Sequence, residues 1–370
     1  MQSNDPLRLG AFAANNGLWL TLMILRLTLL ERLLHRLHLL PTPVMDTFGS
    51  VLFGRALAIG VRRGIFEALS DRVLSAEEIA ERTHLDVKGV KLLLDSFVQG
   101  GYLLHKGSGF AISADGRTWL LKSSPRYIGN LIRYFETLYS RWSYLEFSLE
   151  HGKPPKPYYE MFDENDWEVY VYGMRDLALL LMDDVRRKLI LHGSPRSLLD
   201  IGGSHGAYAM ECCRRFPSLQ AIVMDFDPAV GHAKTIIDRA GMADRVSVLG
   251  GDFTKTELPQ DQDAVLMFNI IHGFDEAENQ RLIGRAFGVL APGGKLFVLD
   301  QFREDARRSG LRSRGSLSQF IPLMVGLNLL NEIGGNAYTF EHIKRWCAEA
   351  SAVKRVRLRL PGVTLVEIVK

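Results

Sequence analysis

The chain has 370 residues, 47% hydrophobic and 24% charged, with a formal net charge of +3. This composition excludes a disordered or low-complexity chain, provides apolar residues for two domains, and is too weakly basic to imply a nucleic-acid partner. Three cysteines, Cys212, Cys213 and Cys347, make no disulfide framework and point to a reducing cytoplasm; no Cys/His spacing suits zinc, so no metal is expected.

Residues 17–40 are rich in leucine. Arg26, Glu31, Arg32, His35 and Arg36 interrupt them too often for a spanning helix of about 20 residues. A basic n-region and a small-residue cleavage site are both missing, which argues against a signal peptide. At helical spacing Thr28, Glu31, Arg32, His35 and Arg36 fall on one side and Leu22, Leu29, Leu30, Leu33, Leu37 and Leu40 on the other, with Arg26 and Leu25 as exceptions. The apolar face needs a home, either a dimer or domain contact or the surface of a membrane. Pro41 and Pro43 end this helix, so residues 1–43 form an N-terminal amphipathic extension.

Residues 44–122 read as a compact helical unit closed by a hairpin. Ser75 and Glu78 form a capping box ahead of a short helix, and Asp86 caps a second one with Val87, Val90, Leu94 and Phe97 on its inner face. Gly100 and Gly101 stop it, and two short strands follow around Gly107 to Gly109. This order is a winged-helix pattern. Its would-be recognition helix offers Lys88 and Lys91 but no arginine, so DNA binding is not expected. Residues 123–195 are helical and dense in aromatics, a region suited to lining a pocket for a flat apolar substrate. From residue 196 strands and helices alternate, which predicts a parallel α/β sheet with ligands at the carboxyl ends of its strands. Strands at 353–360 and 363–369, joined by Pro361 and Gly362, predict a tight hairpin at the end.

Three strand ends carry polar chemistry. Asp200, Gly202, Gly203 and Gly206 lie in a glycine-rich turn between a strand and a helix, where backbone can approach an anionic group closely. Asp225 ends the next strand, placed to accept from both ribose hydroxyls of a nucleoside. Asp252 and Phe253 end the third, an acceptor for an adenine amine beside a ring to cover the base.

The ordered set LLDIGGSHG, the strand ending in Phe226 and Asp227, then GDF, NIIHGFDEAE and APGGKLFVLD resembles the class I methyltransferase domain of the winged-helix small-molecule O-methyltransferases. That group includes plant caffeate and flavonoid enzymes and bacterial antibiotic-tailoring enzymes. The likeness runs over about residues 44–370. It implies a Rossmann-like α/β domain with a C-terminal β-hairpin, preceded by an α-helical winged-helix dimerisation domain. It also implies S-adenosyl-L-methionine as cofactor, a homodimer, and transfer of a methyl group to a hydroxyl of a small hydrophobic substrate, aromatic, polyketide or quinone-like. Gly202, Gly203, Gly206, Asp225, Asp252, Phe253 and Asn269 would hold the cofactor. His272 would be the general base and Asp300 the acid that orients it; Tyr172, Met174 and Met324 would line the substrate pocket. The sequence departs from the plant pattern: Gly273 and Phe274 follow the histidine, Ala337 stands where a second orienting glutamate is expected, and Phe268 replaces a lysine. Two other readings remain open, a cofactor-binding relative that catalyses something other than methylation and a non-catalytic winged-helix binding protein. The expected setting is cytoplasmic, with peripheral membrane contact through residues 17–40 as the variant.

Overall fold

The computed structural model describes residues 28–303 and 317–370. Within them the leucine-rich segment is not one long helix. Thr28 is extended, and its hydroxyl and the Glu31 carboxylate each accept from the other's backbone N–H, a capping box that starts a fresh helix, α1 (Leu29–Arg36). His38, at a φ of 58°, turns the chain away after it. Residues 17–27 of the expected helix lie outside the described residues. Pro43 stands in the first turn of α2 (Thr42–Arg62), where its missing N–H has no partner to lose, so this proline opens a helix as well as following one.

Next come α3 (Ile65–Ala68), α4 (Ala76–Thr83), α5 (Val87–Gln99) and a two-stranded sheet of β1 (Leu103–Lys106) and β2 (Gly109–Ile112). The Ser75–Glu78 box opens α4, and the Asp86 carboxylate accepts from Gly89 N–H at 3.1 Å to open α5. Ile79, Val90, Leu94, Phe97 and Leu103 close a small core. Val87, expected on that inner face, is exposed, because the first residue of α5 precedes the turn that meets the core. After α6 (Ala114–Leu120), the helices α7 (Gly129–Arg141), α8 (Leu145–His151) and α9 (Glu164–Lys188) join the two halves. Arg55 and Arg62 of α2 pair with Glu136 of α7 at 2.6 and 3.3 Å. Asp176 of α9 accepts from the N–H groups of Asn130 and Leu131 at 2.9 and 3.3 Å, so one helix caps the start of another.

The remaining strands are β3 (Ser197–Ile201), β4 (Gln220–Asp225), β5 (Val246–Gly250), β6 (Gln262–Phe268), β7 (Leu290–Asp300), β8 (Ala352–Arg357) and β9 (Thr364–Val369). They form one seven-stranded sheet in the order β5-β4-β3-β6-β7-β9-β8, parallel except for β8 and β9. Around it lie α10 (Ala207–Arg215), α11 (Asp227–Arg239), α12 (Glu276–Gly288), α13 (Leu317–Ile333) and α14 (Phe340–Trp346). The order reverses at β3, between β4 and β6, and such a reversal opens a crevice at the strands' carboxyl ends. The last two strands are not joined by a tight turn. Their ladder stops at the pair Arg357 and Thr364, and Arg359 is drawn aside by donating its N–H to Asp184 on α9. All three cysteines are free thiols, buried in the protein.

Candidate active site

The turn after β3 is tied to its neighbour by Gly202 N–H donating to Met224 O at 2.7 Å. It then runs through positive φ at Gly202, Ser204 and Gly206 (65°, 42° and 66°) before α10 begins. At Gly203 a Cβ would lie 2.6 Å from Asp200 Cγ, so only glycine lets the turn lie flat on that carboxyl. Asp225 accepts from Ser204 N–H at 2.9 Å and from Phe226 N–H at 2.8 Å. Burial still pushes its pKa up, to about 6. Asp200, deeper under the turn, is pushed to about 8 by burial and by the charge of Asp225. Both Asp200 carboxyl oxygens and the Ser204 hydroxyl are buried without a hydrogen-bond partner among the described residues. Two buried acids beside a glycine turn form a cradle that a ligand with a cationic centre would relieve electrostatically. His205, in the same turn, is a cap: Nδ1 accepts from Ala207 N–H at 3.0 Å, and burial, aided by Arg175, lowers its pKa to about 3.

Asp252 ends the neighbouring strand's turn. Its carboxylate accepts from Thr254 N–H and Oγ1 at 3.0 and 2.6 Å and pairs with Lys255 at 2.8 Å. Burial opposes ionisation there, yet Lys255 and Thr254 together hold the group below its ordinary range. Three donors therefore already occupy the acceptor expected to face an adenine. Phe253 is buried, its ring centre 5.6 Å from Phe226 and 6.0 Å from Phe274, so three aromatic residues line that end.

His272 sits in a short helical turn (Ile271–Gly273) just beyond β6. Its Nδ1 lies 2.6 Å from Asp300 Oδ1 and 3.2 Å from Gln301 Oε1. Both partners are acceptors, so Nδ1 carries the proton and the basic lone pair sits on Nε2. The ring is 15% exposed and Nε2 makes no hydrogen bond among the described residues. Asn269, at a φ of 57°, accepts from Gln301 Nε2 at 2.9 Å and so fixes which end of the amide faces the histidine. The turn itself is clamped. Asn279 Nδ2 donates to Ile271 O at 2.7 Å, Tyr338 Oη to Phe274 O at 2.6 Å, and Asn336 N–H to His272 O at 2.9 Å. Gln301, Asn279 and Tyr338 were not among the expected residues. Gln301 is adjacent to Asp300 and supplies the second partner that Ala337, buried nearby, cannot.

Tyr134, Tyr158 and Tyr170 form an aromatic group on the helical side, the rings of Tyr134 and Tyr158 lying 5.4 and 5.5 Å from that of Tyr170. Tyr158 Oη donates to Tyr170 Oη at 3.2 Å, and burial raises both phenols, Tyr170 to about 12. The negative charge of Asp225 is a smaller cause for each, which ties this wall to the cradle. Arg141 Nε donates to both oxygens of Glu332 at 2.9 and 2.8 Å, a buried ion pair between α7 and α13. Trp142 Nε1 donates to Asn328 at 2.7 Å, and Asn331 Nδ2 to Arg141 O at 3.0 Å. Met174 packs among Leu131, Tyr134 and Val169 on this side, and Met324 is half-buried on α13. Tyr172 is the exception. It points between α9 and α11, where its hydroxyl accepts from Arg239 at 3.2 Å, and it lines a different cavity, because two positions along a helix turn a side chain away from Met174.

Comparison with known proteins adds three findings. Residues 142–343 match the model of the O-methyltransferase domain family. The 3-hydroxy-5-methyl-1-naphthoate 3-O-methyltransferase of Streptomyces sahachiroi is 26% identical over 87% of this chain and 93% of its own length; the rat acetylserotonin O-methyltransferase is 24% identical over 86% and 74%. The crystal structure of human N-acetylserotonin methyltransferase in complex with SAM superposes with a TM-score of 0.77 at 18% identity, covering 89% of this chain and 97% of that one.

Proposed function

The chain belongs to the O-methyltransferase family and is an S-adenosylmethionine-dependent methyltransferase, and on that premise we propose that His272 is the base that deprotonates a hydroxyl of a small hydrophobic acceptor. The 2.6 Å contact between His272 Nδ1 and Asp300 carries this reading. It keeps the proton on Nδ1, leaves the basic Nε2 free to meet an acceptor hydroxyl, and steadies the imidazolium that forms. The cofactor supplies an electrophilic methyl on a positively charged sulfur. Gly202, Gly203 and Gly206 would admit its amino-acid end, Asp225 would accept from the ribose hydroxyls, and Phe253 would cover the base. Asp252 would contribute only through lone pairs left free by Lys255 and Thr254. Asn269 serves His272 through Gln301 in this reading. The acceptor would lie against Met174, Tyr170 and Met324, and the aromatic substrate named for the Streptomyces relative supports a flat phenolic acceptor of the polyketide or quinone kind.

His272→Ala tests the proposal. Turnover should fall by about 10²–10⁴-fold while cofactor affinity by calorimetry stays within twofold. Turnover within about twofold of the parent would mean that an acidic phenol needs no base.

The domain reading follows the same division: an extension at 1–43, a winged-helix dimerisation unit at 44–122, a substrate-facing helical region at 123–195 and the cofactor domain at 196–370. Leu30 and Leu33 of α1, Leu37 and Leu39 after it, and Val44 and Phe48 of α2 are all exposed in the single chain, too much apolar surface for a solvated monomer. A second copy of the chain is the favoured cover. α2 is long and apolar enough to cross a membrane, but its arginines are engaged with Glu136 of α7, which favours a soluble dimer in the cytoplasm. Light scattering at low micromolar concentration should give about twice the 41.6 kDa chain mass. A monomer that floats with anionic vesicles would instead support the membrane contact.

A further inference from the structure

A second cavity, of about 390 Å³, opens between α9, α10 and α11 and shares no lining residue with the His272 turn. Its floor is apolar, built by Met182, Ala207, Met210 and Ile236, all buried. Its walls carry four guanidinium groups, Arg175, Arg186, Arg214 and Arg239, against a single carboxylate, Glu211. That carboxylate is already committed: Arg186 Nε holds one oxygen at 2.6 Å and Arg214 lies 4.0 Å from the other, while Arg186 also pairs with Asp183 outside the cavity at 3.1 Å, which leaves Arg175 and Arg239 as the cations without a carboxylate partner among the described residues. Arg239 reaches across the mouth to the neutral Tyr172 hydroxyl at 3.2 Å. Arg175 is half-buried and has no hydrogen bond or ion pair among the described residues. Its charge is felt inside the protein, where it adds to the burial of His205 in holding that ring neutral.

Cations crowded over an apolar floor with too few carboxylates repel one another, and a half-buried guanidinium loses hydration without gaining a partner. An anion at the mouth would relieve both. A compact, strongly hydrated anion would leave the methionine floor empty, whereas an anion with a hydrocarbon body would fill it. We propose that this cavity is a binding site for an amphipathic carboxylate, its head held by Arg175 and Arg239 and its alkyl body laid on Met182 and Met210. The planar guanidinium fork suits two-point capture of a carboxylate, and methionine floors adapt to aliphatic bodies. The cavity adjoins Ala207, the first residue of α10, whose N–H is held by His205 of the cofactor turn. Occupancy therefore lies one hydrogen bond from the cradle while leaving the acceptor space open.

Octanoate, with butyrate and inorganic phosphate as controls, tests the assignment by calorimetry on the full-length protein saturated with S-adenosylhomocysteine. Octanoate should bind at one saturable site, at least tenfold more tightly than butyrate or phosphate. Arg175→Gln combined with Arg239→Gln should weaken it by at least tenfold, since two charge-assisted hydrogen bonds are lost, with melting temperature unchanged. Met210→Gln should weaken octanoate but not butyrate. Three results would each overturn the proposal: no saturable octanoate binding, phosphate binding as well as octanoate, or octanoate binding that the arginine double variant leaves intact. Loss of octanoate binding when an acceptor phenol is added would place it in the His272 pocket, and that too would sink it.

Discussion

The glycine-turn cradle and the helical wall around Tyr134, Tyr158 and Tyr170 are built in opposite ways. The cradle is local. Ser204 and Asp225, 21 residues apart, are joined through a backbone N–H, and the whole assembly follows from strands ending beside one another. The wall is assembled from distant chain. Arg141 meets Glu332 across 191 residues and Trp142 meets Asn328 across 186, and each of these links depends on side chains. Backbone placed by a sheet tolerates sequence change, whereas a wall of side-chain pairs can be rebuilt pair by pair. One half of the site is thus suited to a fixed ligand and the other to a variable one.

The sharpest way to break this contrast is at the buried ion pair. Glu332→Leu strands the Arg141 guanidinium between the Tyr134 and Phe162 rings with only Thr137 as a partner. The expected loss is about 3–5 kcal/mol of unfolding free energy, and Arg141→Met with Glu332→Leu should recover most of it. Denaturant titration measures both. The KM for the acceptor should rise in the double variant while cofactor affinity holds. If cofactor affinity fell equally, the two halves would not be separable.

This contrast also decides what could be read from sequence. The glycine turn, Asp225 and Phe253 are legible because strand ends and glycines mark backbone geometry, and a parallel sheet follows from the alternation of elements. His272 and Asp300 were legible only through family likeness, since a histidine after a strand is common. Nothing local marks Glu332 as the partner of Arg141, and Tyr172 was misplaced because helical aromatics two residues apart look equivalent until packing separates them. The break at Thr28 was hidden by leucine periodicity, although Thr28 and Glu31 spell a capping box.

Within the cradle, Asp225→Asn should weaken S-adenosylmethionine binding by about tenfold or more, from loss of a charged acceptor worth about 1.5–3 kcal/mol. Calorimetry reads this directly. Unchanged affinity would leave the ribose hydroxyls to the backbone and make the cradle as dispensable as any one wall residue.

Acid should produce a similar effect without mutation. Burial raises Asp225 to about 6, and its ionised form is the stronger acceptor for ribose hydroxyls. Affinity should therefore decline as pH falls from 7 to 5, by no more than the loss that Asp225→Asn causes. Asp225→Asn should flatten that decline. A decline that persists in the variant would assign the titration to another group.

The smallest expected effect concerns Gln301, which belongs to the local half by position but serves the catalytic turn. Its carbonyl oxygen lies 3.2 Å from His272 Nδ1 and its amide nitrogen is held by Asn269. Gln301→Leu removes one neutral acceptor from a proton that Asp300 already holds, a loss of about 0.5–1.5 kcal/mol, so turnover should fall about two- to tenfold. Gln301→Glu is the more informative change. A second carboxylate at this position adds a negative charge that stabilises the imidazolium over the neutral ring. The rising limb of the kcat/KM profile against pH should therefore move to higher pH, while the plateau is kept or improved. Gln301→Leu should leave the limb nearly in place. If neither variant moves that limb, His272 is not the group whose deprotonation the profile reports.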